Sequence, residues 1–398
     1  MKKRLQQPCL HPSSFRLHPL PFFAVDNLTH SLVGLAAAKA GLGRLSPYAT
    51  LVCVAASNLP DADIVALAGG PSYYLAHHRG ITHSIVGTLA LGVLFPIMFV
   101  GVERLVARVR GREPRARLWG LMLCSLLLIA SHPLLDWTNS YGVRPLLPWD
   151  GRWIYGDILF VVDPWIWLVT GGACFLLTAR TRLRAAAWAL LALATTLLVV
   201  SFATYGASHA FTVVCALWLA GLLDFVILHR RRVAERFGWK IAAAALAFVF
   251  VYCCALAFLH SRAQSRAEEL ARSFSSKGGA SVTRVAATPL PADPRAWRCL
   301  AETDRSTLRF DVLLGSEQGE GAYGLVTVEK PTGDEAELVS RASEDERARV
   351  LLDFARFPVA RVRRDEAGGW LVQFADLRFT EPGARARPGG FALDVSIK

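Results

Sequence analysis

Long apolar stretches fill the first two thirds of the chain. A helix needs about 20 apolar residues to cross a bilayer. Four stretches reach that length cleanly, two more reach it around an internal aspartate, and two are shorter. In chain order they are roughly 28–42, 46–59, 84–102, 118–135, 158–178, 186–204, 209–228 and 240–260. This pattern predicts six to eight membrane helices, and therefore an all-α polytopic membrane protein over this part of the chain.

The pattern changes from about residue 262 onward. Apolar and polar residues alternate with a period of two in short runs bounded by glycine or proline, which is typical of strands. The runs are STLRFDVLLG, AYGLVTVEK, GWLVQFADLRF and GFALDVSIK. Residues 335–357 predict one or two helices instead. We therefore expect residues 262–398 to form a small C-terminal α+β domain outside the membrane.

Composition and charge agree with a membrane protein. Hydrophobic residues make up 53% of the 398 residues and charged residues 19%, whereas soluble globular chains carry about 25% charged residues. The formal net charge is +12, and residues 261–398 add nothing to it, since they hold 21 basic and 21 acidic side chains. We expect no basic stretch to be interleaved with exposed aromatic residues, as nucleic-acid-binding surfaces are. The lipid bilayer is therefore the expected partner, and nucleic acid is not.

Basic residues cluster in three connections between the apolar stretches. These connections are 104–117, 180–184 and 230–240. Since successive helices alternate in direction, all three lie on one side, which the positive-inside rule makes cytoplasmic. The opposite helix ends collect histidines and aspartates. We therefore expect a bacterial inner-membrane protein whose His/Asp-rich face and C-terminal domain are both extracytoplasmic.

Three short motifs place metal-ligating side chains at those helix ends. N-L-P-D-A-D (58–63) offers two carboxylates in a turn, where oxygen ligands can converge on one cation. H-H-R-G-I-T-H-S (77–84) combines three imidazoles with Arg79, which suits an anionic substrate oxygen. S-H-P-L-L-D (131–136) spaces His132 and Asp136 four residues apart, on one helical face. Each motif alone also fits a polar helix end, but their meeting at one membrane face favours a metal site.

Asp163 adds a further carboxylate to this face. It interrupts an apolar stretch just before Pro164, and a buried carboxylate needs a partner such as a metal or an arginine. Nitrogen and oxygen ligands in this mixture suit Zn²⁺, or Mn²⁺ and Fe²⁺, better than Ca²⁺. So many ligands could hold two or three ions, and multinuclear sites of this kind activate water and clamp a phosphoryl group.

Together with D-N-L-T-H (26–30) and D-P-W (163–165), these motifs resemble the membrane-bound metal-dependent hydrolase family, the YdjM-like bacterial inner-membrane proteins. The resemblance covers residues 26–165, and H-R-G-I-T-H-S is a specific string. It implies a helical fold distantly similar to zinc-dependent phospholipase C, in which His and Asp from several helices bind zinc ions and cleave phosphodiesters. Carried over by motif, the implied metal ligands are His30, Asp61, Asp63, His78, His83, His132 and Asp136.

The expected function is hydrolysis of a phosphoester in a lipid or cell-envelope substrate by a metal-activated water. Arg79 would stabilise the developing negative charge, and Asp61 or Asp163 would accept the proton of the attacking water. Two alternatives stay open. The metal could staple the helices of a non-catalytic structural or regulatory envelope protein. The chain could also be a transporter, although the stretch 186–204 lacks the ionisable groups that line a translocation path.

These patterns divide the chain into four parts. Residues 25–178 are expected to form the metal-site helical domain, 179–261 additional membrane helices, and 262–398 the extracytoplasmic α+β domain. Residues 1–24 are basic and proline-containing without an apolar core, so they are not a signal peptide. We expect them to be a non-native N-terminal extension, with the natural start at Val25.

Overall fold

The computed structural model describes residues 19–204, 209–276, 279–315, 321–365, 368–383 and 391–397. Most of the expected N-terminal extension lies outside these residues. Helices fill the chain up to residue 276: α1 (Pro19–Ala40), α2 (Ala49–Ala56), α3 (Pro71–His77), α4 (Ile85–Val109), α5 (Leu118–Trp137), α6 (Pro164–Thr178), α7 (Arg182–Thr204), α8 (His209–Arg230), α9 (Val233–Phe237) and α10 (Trp239–Ser276). Short 3-10 segments, Leu42–Arg44, Leu59–Gly69 and Ile81–His83, lie between α1 and α2, α2 and α3, and α3 and α4.

Among the described residues, five helices are long and apolar enough to cross a membrane. They are α4, α5, α7 over Arg182–Ser201, α8 over Thr212–Arg230, and α10. A sixth candidate is the pair formed by α2 and Leu59–Gly69, which bends by 44° between its two halves. The prediction of an all-α polytopic domain is confirmed. Helix α6 is shorter than the apolar stretch 158–178 because it begins only at Pro164, a residue that favours a first helical turn.

Small residues let the first helices approach one another closely. A Cβ atom on Gly34 of α1 would lie 2.9 Å from the carbonyl oxygen of Cys53 in α2. A Cβ atom on Gly92 of α4 would lie 2.6 Å from Leu126 Cδ2 in α5. Helices in lipid associate largely through such close contacts of their backbones. This packing brings α1 against α2 and α4 against α5, and these helices carry or adjoin the candidate site described below.

The C-terminal domain contains two antiparallel sheets and two helices. Strands β1 (Val282–Pro289), β2 (Ala296–Thr303), β3 (Ser306–Leu313) and β4 (Tyr323–Glu329) form the first sheet in that order. Strands β5 (Pro358–Arg364), β6 (Trp370–Asp376) and β7 (Ala392–Ile397) form the second. Helices α11 (Asp334–Ala342) and α12 (Glu346–Phe354) pack on the second sheet through buried apolar side chains. The predicted α+β domain is confirmed, and residues 335–357 form two helices.

Helix α10 is continuous from its membrane-spanning part into the C-terminal domain. Beyond the apolar part, Ala263, Ala267 and Ala271 are fully buried and face the first sheet, where they contact Trp297 and Phe310. Residues four positions apart share one helical face, and alanine there lets the helix lie close to the strands. The helix therefore runs through the expected domain boundary at residues 261–262.

Candidate metal centre

The predicted ligands come from four successive pieces of the fold. Asp61 and Asp63 lie in the segment Leu59–Gly69, where the chain bends away from α2. His78 follows α3, and His83 ends the turn Ile81–His83. Helix α4 then starts at once, because Ser84 caps it by accepting a hydrogen bond from the Gly87 amide at 3.1 Å. On α5, His132 and Asp136 face the same way, one turn apart.

One group of four ligands converges on a single point. The Nε2 atoms of His83 and His132 are 3.1 Å apart. Asp61 Oδ1 lies 3.3 Å from each of these nitrogens, and Asp136 Oδ2 lies 3.1 Å and 3.3 Å from them. Four ligands at about 2.0–2.1 Å from a tetrahedral zinc ion are separated by about 3.3–3.4 Å. The spacing of the four atoms therefore fits a set of ligands that could hold one metal ion.

A second group adjoins the first and shares a carboxylate with it. Asp61, Asp63 and His78 offer ligand atoms that all lie within 4.8 Å of one another. Asp61 belongs to both groups, so it would be a ligand for an ion held in either of them. The side chains of Asp61, Asp63 and His78 are 13%, 8% and 6% exposed. His83 and His132, in contrast, are fully buried.

Hydrogen bonds orient the imidazole rings. His132 Nδ1 lies 2.7 Å from the carbonyl oxygen of Ser57. Since a carbonyl only accepts, Nδ1 carries the proton and Nε2 presents its lone pair to the group. His78 Nδ1 lies 3.0 Å from Asp63 Oδ1, and His83 Nδ1 lies 3.0 Å from Thr82 Oγ1. Each of the three rings therefore has one polar neighbour that fixes its orientation.

The electrostatics of the two loop histidines differ. Burial lowers the pKa of His78, although Asp63 opposes this effect, so that its imidazole is neutral and able to bind a cation at neutral pH. Burial also opposes protonation of His83, but hydrogen bonds to Asp136 and Asp61 outweigh it and raise the pKa of His83. Negative charge that attracts a proton to His83 attracts a metal cation in the same place, because the two compete for the same lone pairs.

His30 lies beside these groups. Its Nε2 is 3.3 Å from Asp136 Oδ1, and its ring stacks on that of His132 with the centroids 3.7 Å apart. Of the seven predicted ligands, the structure brings six into the two groups. The seventh, His30, contacts Asp136 and His132 of the first group.

Arg79 is buried in the same site. Its Nη2 lies 2.9 Å from Asp136 Oδ1, its Nη1 donates to Asn139 Oδ1 at 2.9 Å, and its guanidinium lies over the Tyr141 ring. The backbone of Arg79 has a φ of 51°, which side-chain-bearing residues rarely adopt. Its amide donates to Asp63 Oδ2 at 2.9 Å, and this contact holds the conformation. Arg79 therefore links the carboxylates of both ligand groups.

Asp163 has a different place. It caps α6 by accepting hydrogen bonds from the amides of Trp165 and Ile166 at 2.9 Å and 3.0 Å, and it accepts a third from Tyr252 Oη at 3.0 Å. It belongs to neither of the ligand groups found among the described residues. The partner that its burial required is thus a helix end and a tyrosine.

The C-terminal domain contacts the loop that follows α5 beside the site, a contact that sequence reasoning missed. The Tyr141 ring packs edge-on against His78, with centroids 5.5 Å apart, and at a tilt against Phe354 of α12, with centroids 4.7 Å apart. Arg378 donates to the Ser140 carbonyl at 2.7 Å, and Arg356 pairs with Asp157 at 2.5 Å. Tyr141 lies beyond the motif S-H-P-L-L-D (131–136), which gives no sign of its contacts. Nothing local in the sequence indicates the other contacts.

Comparisons with known proteins find a match to one family over the membrane part of the chain. Residues 25–210 match the family described as YdjM inner membrane protein. Among curated proteins, YfhP of Bacillus subtilis (strain 168), described as uncharacterized, is 28% identical over 154 residues, or 36% of this chain. The chain covers 43% of the length of YfhP. No solved structure matches the chain, so the likeness to zinc-dependent phospholipase C stays a prediction.

Proposed function

We propose that this chain, whose residues 25–210 match the YdjM inner membrane proteins, is a membrane-bound metal-dependent hydrolase of phosphoesters. The observation that carries the proposal is the pairing of a closed ligand group with an open one through Asp61. Structural zinc sites are closed by four protein ligands, whereas catalytic sites have three and keep one position for water or substrate. The group of four ligands fits the first description, and the group of three fits the second.

Zn²⁺ is the ion we propose, with Mn²⁺ and Fe²⁺ as alternatives. Imidazole nitrogen and carboxylate oxygen in equal numbers suit these ions better than Ca²⁺, which prefers six to eight oxygen ligands. An ion held there would supply a Lewis acid that polarises a phosphoryl oxygen and lowers the pKa of a water molecule.

The side chains of the site would act around that chemistry. Asp61 is the most exposed of the ligand carboxylates, at 13%, and we assign proton acceptance to it; the hydrogen bonds of Asp163 tie that carboxylate to α6 and Tyr252. Arg79 would offset negative charge that develops on the phosphoryl group. By pairing with Asp136 and donating its amide to Asp63, it also connects one carboxylate of each ligand group.

The site would face the extracytoplasmic side of the inner membrane, together with the C-terminal domain. The support is the distribution of charge: basic residues fill the connections 104–117, 180–184 and 230–240, at helix ends away from His83 and His132. A site at the end of membrane helices lies at the depth of lipid head groups. We therefore propose a lipid or another envelope phosphoester as substrate.

The test uses the full chain purified in detergent. Samples stripped with a chelator and reloaded with Zn²⁺, Mn²⁺ or Fe²⁺ are assayed on a phosphomonoester, a phosphodiester and phospholipids. Hydrolysis should disappear on stripping and return on loading. Asp63→Asn should lower it about 100-fold or more, because one ligand of the open group is lost. Asp150→Asn, which changes a half-buried carboxylate paired with Arg152 outside both groups, should not. Absence of hydrolysis from every loaded sample would overturn the proposal.

One observation favours a second candidate, a non-catalytic envelope protein stapled by its metal. His83, His132 and Asp136 are at most 1% exposed, as in a closed structural site. Thermal unfolding then separates the two functions. In a stapled protein, stripping lowers the unfolding temperature of the wild type, and no loaded sample hydrolyses any of the esters.

A further inference from the structure

A basic cavity lies at the ends of the membrane helices away from the metal centre. It has a volume of about 350 Å³ and lies where the end of α1, the segment Leu42–Arg44, the connection from α6 to α7 and the start of α10 meet. On α1, Lys39 at the cavity is nine residues beyond His30 at the metal centre, which is about 14 Å along a helix. The cavity is therefore separate from the candidate metal centre.

Four cationic side chains line this cavity: Lys39, Arg44, Arg180 and Arg184. No acidic side chain is among its lining residues. Within the described part of the chain, none of the four forms an ion pair with a carboxylate. Four like charges around one cavity repel one another and focus a positive potential into it, which favours an anion as occupant.

The remaining lining shows at what depth the cavity lies. Trp239, the first residue of α10, is 46% exposed at its mouth, and Leu177 adds apolar surface. The membrane-spanning part of α7 begins at Arg182 and that of α8 ends at Arg230, so the cavity lies at the level where these helices leave the apolar layer. Tryptophan and arginine are typical of this interfacial level.

We propose that this cavity binds the phosphate head group of an anionic phospholipid from the surrounding bilayer. Its charge supplies the donors for a phosphodiester: arginine forks bind phosphate oxygens in pairs, and lysine adds a point charge. Basic pockets between membrane helices bind such head groups. A free phosphate ion has the same chemistry, but the apolar Leu177 and Trp239 side chains at the cavity suit a ligand that continues into acyl chains.

The experiment measures lipid binding to the purified full chain in detergent. Phosphatidylglycerol, zwitterionic phosphatidylethanolamine and inorganic phosphate are added in separate titrations, and bound lipid is counted by native mass spectrometry. We expect retention of phosphatidylglycerol over phosphatidylethanolamine. Each cation near a lipid surface contributes about 5-fold to binding, so the double variant Arg180→Gln/Arg184→Gln should bind about 30-fold more weakly. The single variant Arg44→Gln should lose about 5-fold.

A matched control removes the same charge elsewhere on the same face. Arg108 and Arg110 are exposed at the end of α4 and do not line the cavity, so Arg108→Gln/Arg110→Gln should bind phosphatidylglycerol as the wild type does. Equal losses in the two double variants would mean that bulk surface charge attracts the lipid, and would overturn the proposal. Inorganic phosphate that displaces the lipid at millimolar concentration would overturn the lipid assignment and leave a phosphate site.

Discussion

Replacing His132 with alanine tests the metal centre most directly. His132 is fully buried, and its Nε2 lies 3.1–3.3 Å from ligand atoms of His83, Asp61 and Asp136. The variant would leave three of the four ligands. Because the loss of a residue that merely supports a ligand weakens metal binding roughly 10–100-fold, the loss of a ligand itself should weaken it by about 100-fold or more. His83→Ala should act alike, and both should abolish any hydrolysis.

Without a bound ion, the same change has a different signature. It would leave the Ser57 carbonyl without the hydrogen bond from His132 Nδ1 and the carboxylates of Asp61 and Asp136 without one imidazole neighbour, at a cost of at least about 1–3 kcal/mol in the free energy of unfolding. Metal content would not change. His229→Ala is the control, since His229 lies at the last turn of α8 and packs on Phe175, with centroids 4.8 Å apart.

The assay is elemental analysis of the purified proteins, in moles of metal per mole of chain. Wild type and His229→Ala should retain metal after dialysis against a weak chelator, while His83→Ala and His132→Ala should not. Equal metal in all four proteins would refute the reasoning. The cluster would then be a polar helix-end surface, and the hydrolase proposal would lose its physical basis.

Three further predictions concern packing, domain contact and topology. Gly34→Ala should destabilise the fold by about 1–3 kcal/mol, since its Cβ meets the α2 backbone. Gly171→Ala, whose Cβ would have its nearest contact at 3.8 Å, should be neutral or stabilising. A thermal unfolding temperature that is not lower for Gly34→Ala than for Gly171→Ala would contradict the described packing. Arg378→Ala leaves the fully buried Asp376 without its ion pair and should cost about 3–5 kcal/mol; unchanged protection of the C-terminal domain from proteases would speak against this. Reporters fused after residue 262 should be active only outside the cytoplasm, and activity confined to the cytoplasm would overturn the proposed orientation.

The sequence predicted the candidate site better than its surroundings. The ligands lie in short motifs whose local spacing already fixes a face, as His132 and Asp136 do on α5, and the alternation of helices brings those faces together. The contacts of Arg79 were not predicted, and its proposed role stays a prediction. Its contacts with Asp136 and Asn139 depend on a left-handed backbone and on a loop some 60 residues away, which no local pattern records.

The limits of the fold prediction have a similar physical origin. Hydropathy marks where a helix can be buried in lipid, not where it ends in water. The apolar part of α10 therefore gave no sign that the helix continues to Ser276, where burial of alanines against strands takes over from burial in lipid. The contact of Arg378 with Ser140 spans 238 positions of the chain, so it is set by tertiary structure alone.

Because α10 is one unbroken helix, a change of its tilt in the bilayer would also move the part of the helix that packs on the C-terminal domain. A helix of 38 residues is about 57 Å long, and the apolar layer takes up about 30 Å of it. Membrane helices tilt to match the thickness of the bilayer. A change in tilt of about 10° would move the far end of the remaining part, about 27 Å long, by about 5 Å. The first sheet packs against this part of the helix. The same domain contacts the loop beside His78, where Phe354 packs on Tyr141 and Arg356 pairs with Asp157. A thicker or thinner membrane would therefore shift the domain relative to this loop. Spin labels on α10 and on the loop, compared in bilayers of short and long acyl chains, would measure this shift as a change in the distance between the labels.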